Sequence, residues 1–197
     1  FPSPVLSWFS SKPNPQEKEV GGDSPALRPQ EFAAIESMME RIKALAMAEA
    51  QELVNLRREL HRHPEVSFQE DWTSTYLCDK LKELDLPYIR KGKRGIAVRI
   101  SGDLPGPHIA FRADFDALPI QEETGLPYAS QISGRMHACG HDAHSSILLA
   151  LARTMAHNRD LLRGTVSFLF QDAEEIPPGG AAAMVEDGCL DEVDRIY

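Results

Sequence analysis

The six residues Thr165 to Phe170, reading Thr-Val-Ser-Phe-Leu-Phe, constrain this chain more than any others. The run is too short for a helix and rich in β-branched and aromatic side chains, so it reads as a strand covered on both faces. A strand of that kind needs a layer above and a layer below, and its flanks supply them. Upstream, Ala143 to Ala156 spaces Ile147, Leu148, Ala150, Leu151 and Met155 at helical intervals. Downstream, Ala181 to Glu186 is helix-prone and Val193 to Tyr197 is strand-like. Helix, buried strand, helix, strand is the order of an α/β sheet. Gly95 to Ile100 and His108 to Ala113 add two β-rich segments on either side of the Pro105-Gly106-Pro107 turn, which predicts a short hairpin between them. The fold class expected is α/β, a mixed sheet flanked by helices.

The N-terminal region has a different character. Residues 1 to 30 carry Pro2, Pro4, Pro13, Pro15, Pro25 and Pro29 and a Gly21-Gly22 pair with no sustained apolar period, the pattern of a flexible tail. From Phe32 an apolar stripe through Ile35, Met39, Ile42, Leu53, Leu56 and Leu60 predicts one or two amphipathic helices ending at Pro64, with Met38, Met39 and Met47 as core filler. Another helix is expected over Asp71 to Leu84. The basic cluster Arg90 to Arg94 straddles Gly92 without interleaved aromatic residues, so it reads as a solvated hairpin tip and not as a nucleic-acid surface.

Charge and cysteine content narrow the partners. The 197 residues carry 30 acidic against 21 basic side chains, a net charge of −9, which argues against nucleic acid. No apolar run approaches the roughly 20 residues that span a bilayer, so no membrane partner is expected. Three cysteines, Cys78, Cys139 and Cys189, make no disulfide framework and point to a reducing, cytoplasmic setting. The acid excess is concentrated in residues 171 to 197, where eight acidic side chains face one arginine, either as a solvated face or as compensation for a bound cation.

Three clusters carry side chains suited to chemistry. His137-Ala138-Cys139-Gly140-His141-Asp142-Ala143-His144 places five metal-type donors in eight residues just before a helix. Clustered imidazoles lose solvation on burial unless something binds them, and the positive helix end is expected to lower the Cys139 thiol pKa towards the thiolate that metals bind. His137 and His144 fit outer roles, orienting the groups that ligate. Glu174-Glu175 follows the buried strand, at the strand end where α/β proteins place ligands. One carboxylate can hold a cation while its neighbour faces water. Arg112-Ala113-Asp114-Phe115-Asp116-Ala117-Leu118-Pro119 also follows a strand. Asp114 and Asp116 alternate and are expected on one side, Asp116 holding a histidine in its tautomer.

These segments, with Leu56-Arg57-Arg58-Glu59-Leu60-His61-Arg62-His63-Pro64-Glu65 and Phe170-Gln171-Asp172-Ala173-Glu174-Glu175, resemble the metal-dependent amidohydrolase branch of the aminoacylase and carboxypeptidase metallopeptidase family. Auxin-conjugate hydrolases, hippurate hydrolases and N-acetyl-diaminopimelate deacetylases belong to that branch, and the likeness covers about residues 50 to 197. The resemblance implies Cys139, His141 and Glu175 as metal ligands, Cys139 bridging two ions, and Glu174 as general base. It implies one or two divalent ions of the Zn, Mn or Co class, an N-acyl amino acid or related small conjugate as substrate, and a homodimer in a longer protein.

Two departures accompany the likeness. Asp172 stands where the family usually has proline, and the family's two remaining histidine ligands and its lid and dimerisation domain have no counterpart in these residues. Residues 31 to 197 are therefore expected to be the N-terminal part of a catalytic domain. The rival expectations are a non-catalytic metal-binding or interaction fragment, and a cysteine hydrolase with Cys139 as nucleophile and His141 or His144 as base.

Overall fold

The computed structural model describes residues 28–197. Of the tail expected over residues 1–30, residues 1–27 lie outside the described residues, while Pro29 and Gln30 already belong to helix α1 (Pro29–Arg62). The chain divides into two compact units, Phe1–Met39 and Glu40–Tyr197, and the sheet lies wholly in the second.

In that second unit the part of α1 from Glu40 onward is followed by α2 (Asp71–Glu83), β1 (Tyr88–Lys91), β2 (Gly95–Ser101), β3 (Leu104–Asp114), α3 (His141–His157), β4 (Arg163–Gln171), α4 (Ala181–Glu186) and β5 (Arg195–Ile196). The strands form one mixed sheet in the order β1-β2-β4-β3-β5. β2 runs antiparallel to β1 and β4, whereas β3 runs parallel to β4 and β5. The expected α/β class therefore holds, and the buried strand read from Thr165 to Phe170 is the central one.

The predicted β2–β3 hairpin does not form, because β4 inserts between the two strands. Doubly apolar β4 needs a neighbour on each edge, and the β2–β3 connection crosses over its start to make room. Glycines permit that crossing. A side chain on Gly102 would lie 2.0 Å from the Leu162 carbonyl oxygen, and one on Gly164 would lie 2.1 Å from that of Pro107. The hairpin that does form is β1–β2, with the basic cluster at its tip. That tip is solvated at Arg90 and Lys93, as expected, and also tied to its neighbours: the Lys91 ammonium donates to the Asp187 carbonyl, and buried Arg94 has its Nε 2.6 Å from Asp71 Oδ1.

Alternation along β4 separates two cores. Val166, Phe168 and Phe170, with Ile96 and Val98 of β2, pack with Leu77 and Leu81 of α2 and Leu148 and Leu149 of α3. Leu169 belongs to a smaller cluster with Ala110, Met184 of α4 and Cys189. The apolar stripe of α1 enters the core only from Leu56 onward. Ile42, Met38, Met39 and Met47 are exposed, Met47 by 70%, so the expectation that these methionines are core filler is wrong. All three cysteines are free, with Cys78 and Cys189 buried and Cys139 exposed. Among the described residues no helix is long and apolar enough to cross a membrane.

The parallel pairing of β3 with β4 sets Asp114 opposite Gln171, and the Phe115 N–H reaches the Gln171 carbonyl at 3.0 Å. Two of the three clusters thus leave the sheet side by side, and the third opens α3, the helix that connects these strands.

Candidate metal centre

Asp116 organises the meeting point of the three segments. It is fully buried just beyond β3, and its Oδ2 accepts the Ser67 hydroxyl at 2.7 Å and the Glu175 backbone N–H at 3.0 Å. His141 Nδ1 lies 3.0 Å from the Asp116 carbonyl and 3.1 Å from its Oδ1. Both partners are acceptors, so Nδ1 carries the proton and Nε2 turns its lone pair outward. Burial opposes ionisation of Asp116, yet the hydrogen bonds from His141, Glu175 and Ser67 hold its carboxyl below the usual range. Burial likewise works against a charged His141, and the Asp116 contact outweighs it and raises the imidazole pKa.

The donor atoms converge beyond this support. Cys139 Sγ, a His141 ring nitrogen and a Glu175 carboxylate oxygen all lie within 4.8 Å of one another. Gly140, between the first two, takes a left-handed φ of 91° at the start of α3, a turn that glycine adopts without strain. Glu174 projects from the same loop with its side chain 42% exposed, and its Oε2 lies 3.9 Å from His141 Nε2.

One observation fits this set to a cation, and a second describes its metal-free state. Glu175 Oε1 is buried and has no hydrogen-bond partner. The Cys139 thiol is pushed up to about 11, first by donating to Glu175, then by burial and by the negative charges of Glu175, Glu174 and Asp116. This reverses the expectation that the helix end would favour the thiolate, because three carboxylates outweigh one helix terminus. Thiol, imidazole and carboxylate directed at one point are donors suited to a divalent ion of the zinc class.

Residues 110–197 match the profile of peptidase family M20/M25/M40. The chain is 46% identical over 158 residues to the N-acyl-L-amino acid amidohydrolase of Geobacillus stearothermophilus, covering 80% of this chain and 43% of that protein. It is 48% identical over 141 residues to the N-acetyldiaminopimelate deacetylase of Geobacillus thermodenitrificans, covering 71% and 37%. Its fold matches the Bacillus subtilis YXEP protein, described as a dinuclear metal binding peptidase of the M20 family, with a TM-score of 0.71 and 45% identity over 78% of this chain and 42% of that one. This chain is similar to members of the M20 peptidase family across these residues. It spans 37% to 43% of the length of the first curated relatives it matches.

The remaining candidates of this chain take different places. Asp114 pairs with Arg112, whose Nε also reaches Gln171 Oε1 at 2.6 Å, while the Asp114 charge still acts on His141. Burial raises the Asp114 carboxyl, with the Arg112 charge opposing. His144 is exposed with its ring 5.7 Å from that of His141. His137 is buried with neither ring nitrogen hydrogen-bonded, and burial pushes it down to about 4, so the ring is neutral.

Sequence reasoning assigned no role to a second group beside them. His61 lies between Asp142 Oδ2 at 2.7 Å and Glu122 Oε1 at 3.3 Å, and Arg57 Nε reaches the same Asp142 oxygen at 2.9 Å. The Asp142 hydrogen bond raises the His61 pKa, and both ring nitrogens face carboxylate oxygens. Asp142, one of the five donors in the sequence cluster, is thus engaged away from the centre. The Leu-His-Arg-His-Pro-Glu segment was the available signal for His61.

Proposed function

We propose that this chain supplies metal-binding and proton-transfer residues of an amidohydrolase that cleaves the amide bond of N-acyl amino acids or related small conjugates, acting within a longer protein. The observation that carries the reading is the convergence of Cys139, His141 and Glu175 within 4.8 Å, beside a neighbouring carboxylate that stays open to solvent. Cys139, His141 and Glu175 would hold a divalent ion of the Zn, Mn or Co class. Such an ion supplies Lewis acidity that polarises a carbonyl and acidifies water.

The chain's own residues do the rest. Asp116 keeps the His141 proton on Nδ1 and fixes the Glu175 backbone, so two donors are oriented by one buried carboxylate. Glu174 accepts a proton from the attacking water and returns it to the amide nitrogen as the carbon–nitrogen bond breaks. The names of the relatives support an N-acyl amino acid as substrate, since one is an N-acyl-L-amino acid amidohydrolase and another an N-acetyldiaminopimelate deacetylase.

In the full-length protein, Glu174→Gln is expected to lower turnover of N-acetyl amino acids by on the order of 100- to 10,000-fold while the metal content measured by elemental analysis stays unchanged. A Gln variant that keeps its rate overturns the assignment of Glu174. A second reading, a non-catalytic metal-binding fragment, draws on one feature: three donors converge among the described residues, one fewer than a closed tetrahedral zinc site uses. Chelation of the full-length protein separates the two. Activity lost and then restored by Mn or Zn supports the hydrolase, whereas bound metal without turnover supports the fragment.

A further inference from the structure

Glu174 and Glu175 occupy an arch whose two feet are pinned differently. The Glu175 foot is held by Asp116, through its backbone N–H at 3.0 Å. The other foot is Ala173, a buried non-glycine residue in the left-handed region at φ 48°, a conformation that persists only where the surroundings impose it. Its N–H donates to Glu70 Oε1 at 2.8 Å, and its carbonyl accepts the Gly180 N–H at 3.1 Å. Glu70 is the residue before α2, its own carbonyl accepting the Ser74 N–H that opens the helix, and its side chain is completely buried. A carboxylate that reaches 103 positions along the sequence to one backbone N–H, at the cost of full burial, is not there for solubility.

The far side of Glu70 is tied to the β1–β2 tip. Arg94 Nε lies 3.9 Å from Glu70 Oε2 and 2.6 Å from Asp71 Oδ1, and the Arg94 carbonyl accepts the Ser74 hydroxyl at 2.6 Å. Glu70 Oε2 and Asp172 Oδ1 are both buried without hydrogen-bond partners. The Glu70 oxygen on the site side is therefore engaged, and the one on the far side has no hydrogen bond, with Arg94 Nε 3.9 Å away.

We propose that Glu70 is a positioning residue for the Glu174–Glu175 arch, setting the backbone turn at Ala173 that sends one carboxylate to the metal donors and leaves its neighbour open. The inference rests on the function proposed above for those two residues. A neutral acid or an amide also accepts the Ala173 N–H, more weakly than a carboxylate does, and the role proposed for this position is that of a placed acceptor, not of a charge.

The test uses the full-length protein and three readouts: thermal stability without metal, Zn affinity by competition with a chromophoric chelator, and kcat and KM for an N-acetyl amino acid. Glu70→Ala is expected to weaken Zn binding about 10- to 100-fold and to lower kcat by a similar factor, with KM within about threefold, the range for groups that orient ligands. Glu70→Gln is expected to restore both to within about threefold of the parent. Glu70→Asp keeps the charge but is shorter by one methylene and loses contact with Ala173, so it is expected to behave like Ala, and it serves if Ala does not fold. The proposal is overturned if Ala or Asp changes only thermal stability, leaving Zn affinity and kcat within twofold, or if Gln is as impaired as they are. Zn affinity reports on the Glu175 foot whether or not Glu174 proves to be the base, so failure of the catalytic reading and failure of this one are distinguishable.

Discussion

Cys139 is exposed, yet its surroundings hold it protonated. The thiol is pushed up to about 11 chiefly by its hydrogen bond to Glu175, so at pH 8 the metal-free protein carries little thiolate. Replacing that acceptor, as in Glu175→Gln, is expected to speed iodoacetamide modification of Cys139 at pH 8 about tenfold, the gain in thiolate being partly offset by its lower nucleophilicity. Mass spectrometry of the metal-free protein checks this, since Cys78 and Cys189 are buried. An unchanged rate would show that Glu175 does not hold the proton. At this scale the sequence was most legible where donors are close in the chain, because Cys139, His141 and His144 share one short segment. Asp114 shows what spacing alone does not give, its ion-pair partner. Alternation on a strand puts Asp114 and Arg112 on one face, and the arginine two residues back captures the carboxylate, while Asp116 lies past the strand end and is free to turn to His141.

The start of α2 shows how an element depends on a residue outside it. Glu70, at the N-cap position, makes no side-chain cap, and the Trp72 and Thr73 N–H groups donate instead to the Glu65 carboxylate at 3.1 and 2.7 Å. The Thr73 hydroxyl joins them at 2.8 Å. Glu65→Ala is expected to cost about 1–2 kcal/mol, the usual worth of a helix cap, and Glu65→Gln less, as read by denaturant unfolding. An Ala variant as stable as the parent would mean that solvent serves those N–H groups equally well. The helices were legible because their apolar period is local: α2, α3 and α4 begin and end within about two residues of the spans read from sequence. The β2–β3 pairing was not, because the strand that separates them starts about 60 residues further on, and only Gly102 and Gly164 hint at the crossing.

Across the whole molecule the buried acids set how stability responds to pH. Burial pushes the Glu70 carboxyl up to about 7 from its ordinary 4.5, with the Asp172 charge adding to the rise and the Ala173 N–H opposing it. Between those values the folded protein keeps a proton that the unfolded chain has released. The contribution of Glu70 is therefore complete below about pH 4.5 and is lost as pH rises through 7, a change of roughly 3 kcal/mol. Asp172, raised by the same burial, slopes in the same direction, as do His61 and His141, whose carboxylate partners raise them. His137, held neutral and pushed down to about 4, slopes the other way below pH 6.5. The Glu70 share is isolated by comparing the metal-free full-length parent with Glu70→Gln, which cannot ionise. Denaturant unfolding at pH 5, 6, 7 and 8 is expected to show the parent losing stability relative to the Gln variant as pH rises, most of it between pH 5 and 7. A difference that stays constant with pH would mean that Glu70 ionises alike in the folded and unfolded chain. Arg94 would then be compensating the buried charge, in spite of the 3.9 Å between its Nε and Glu70 Oε2.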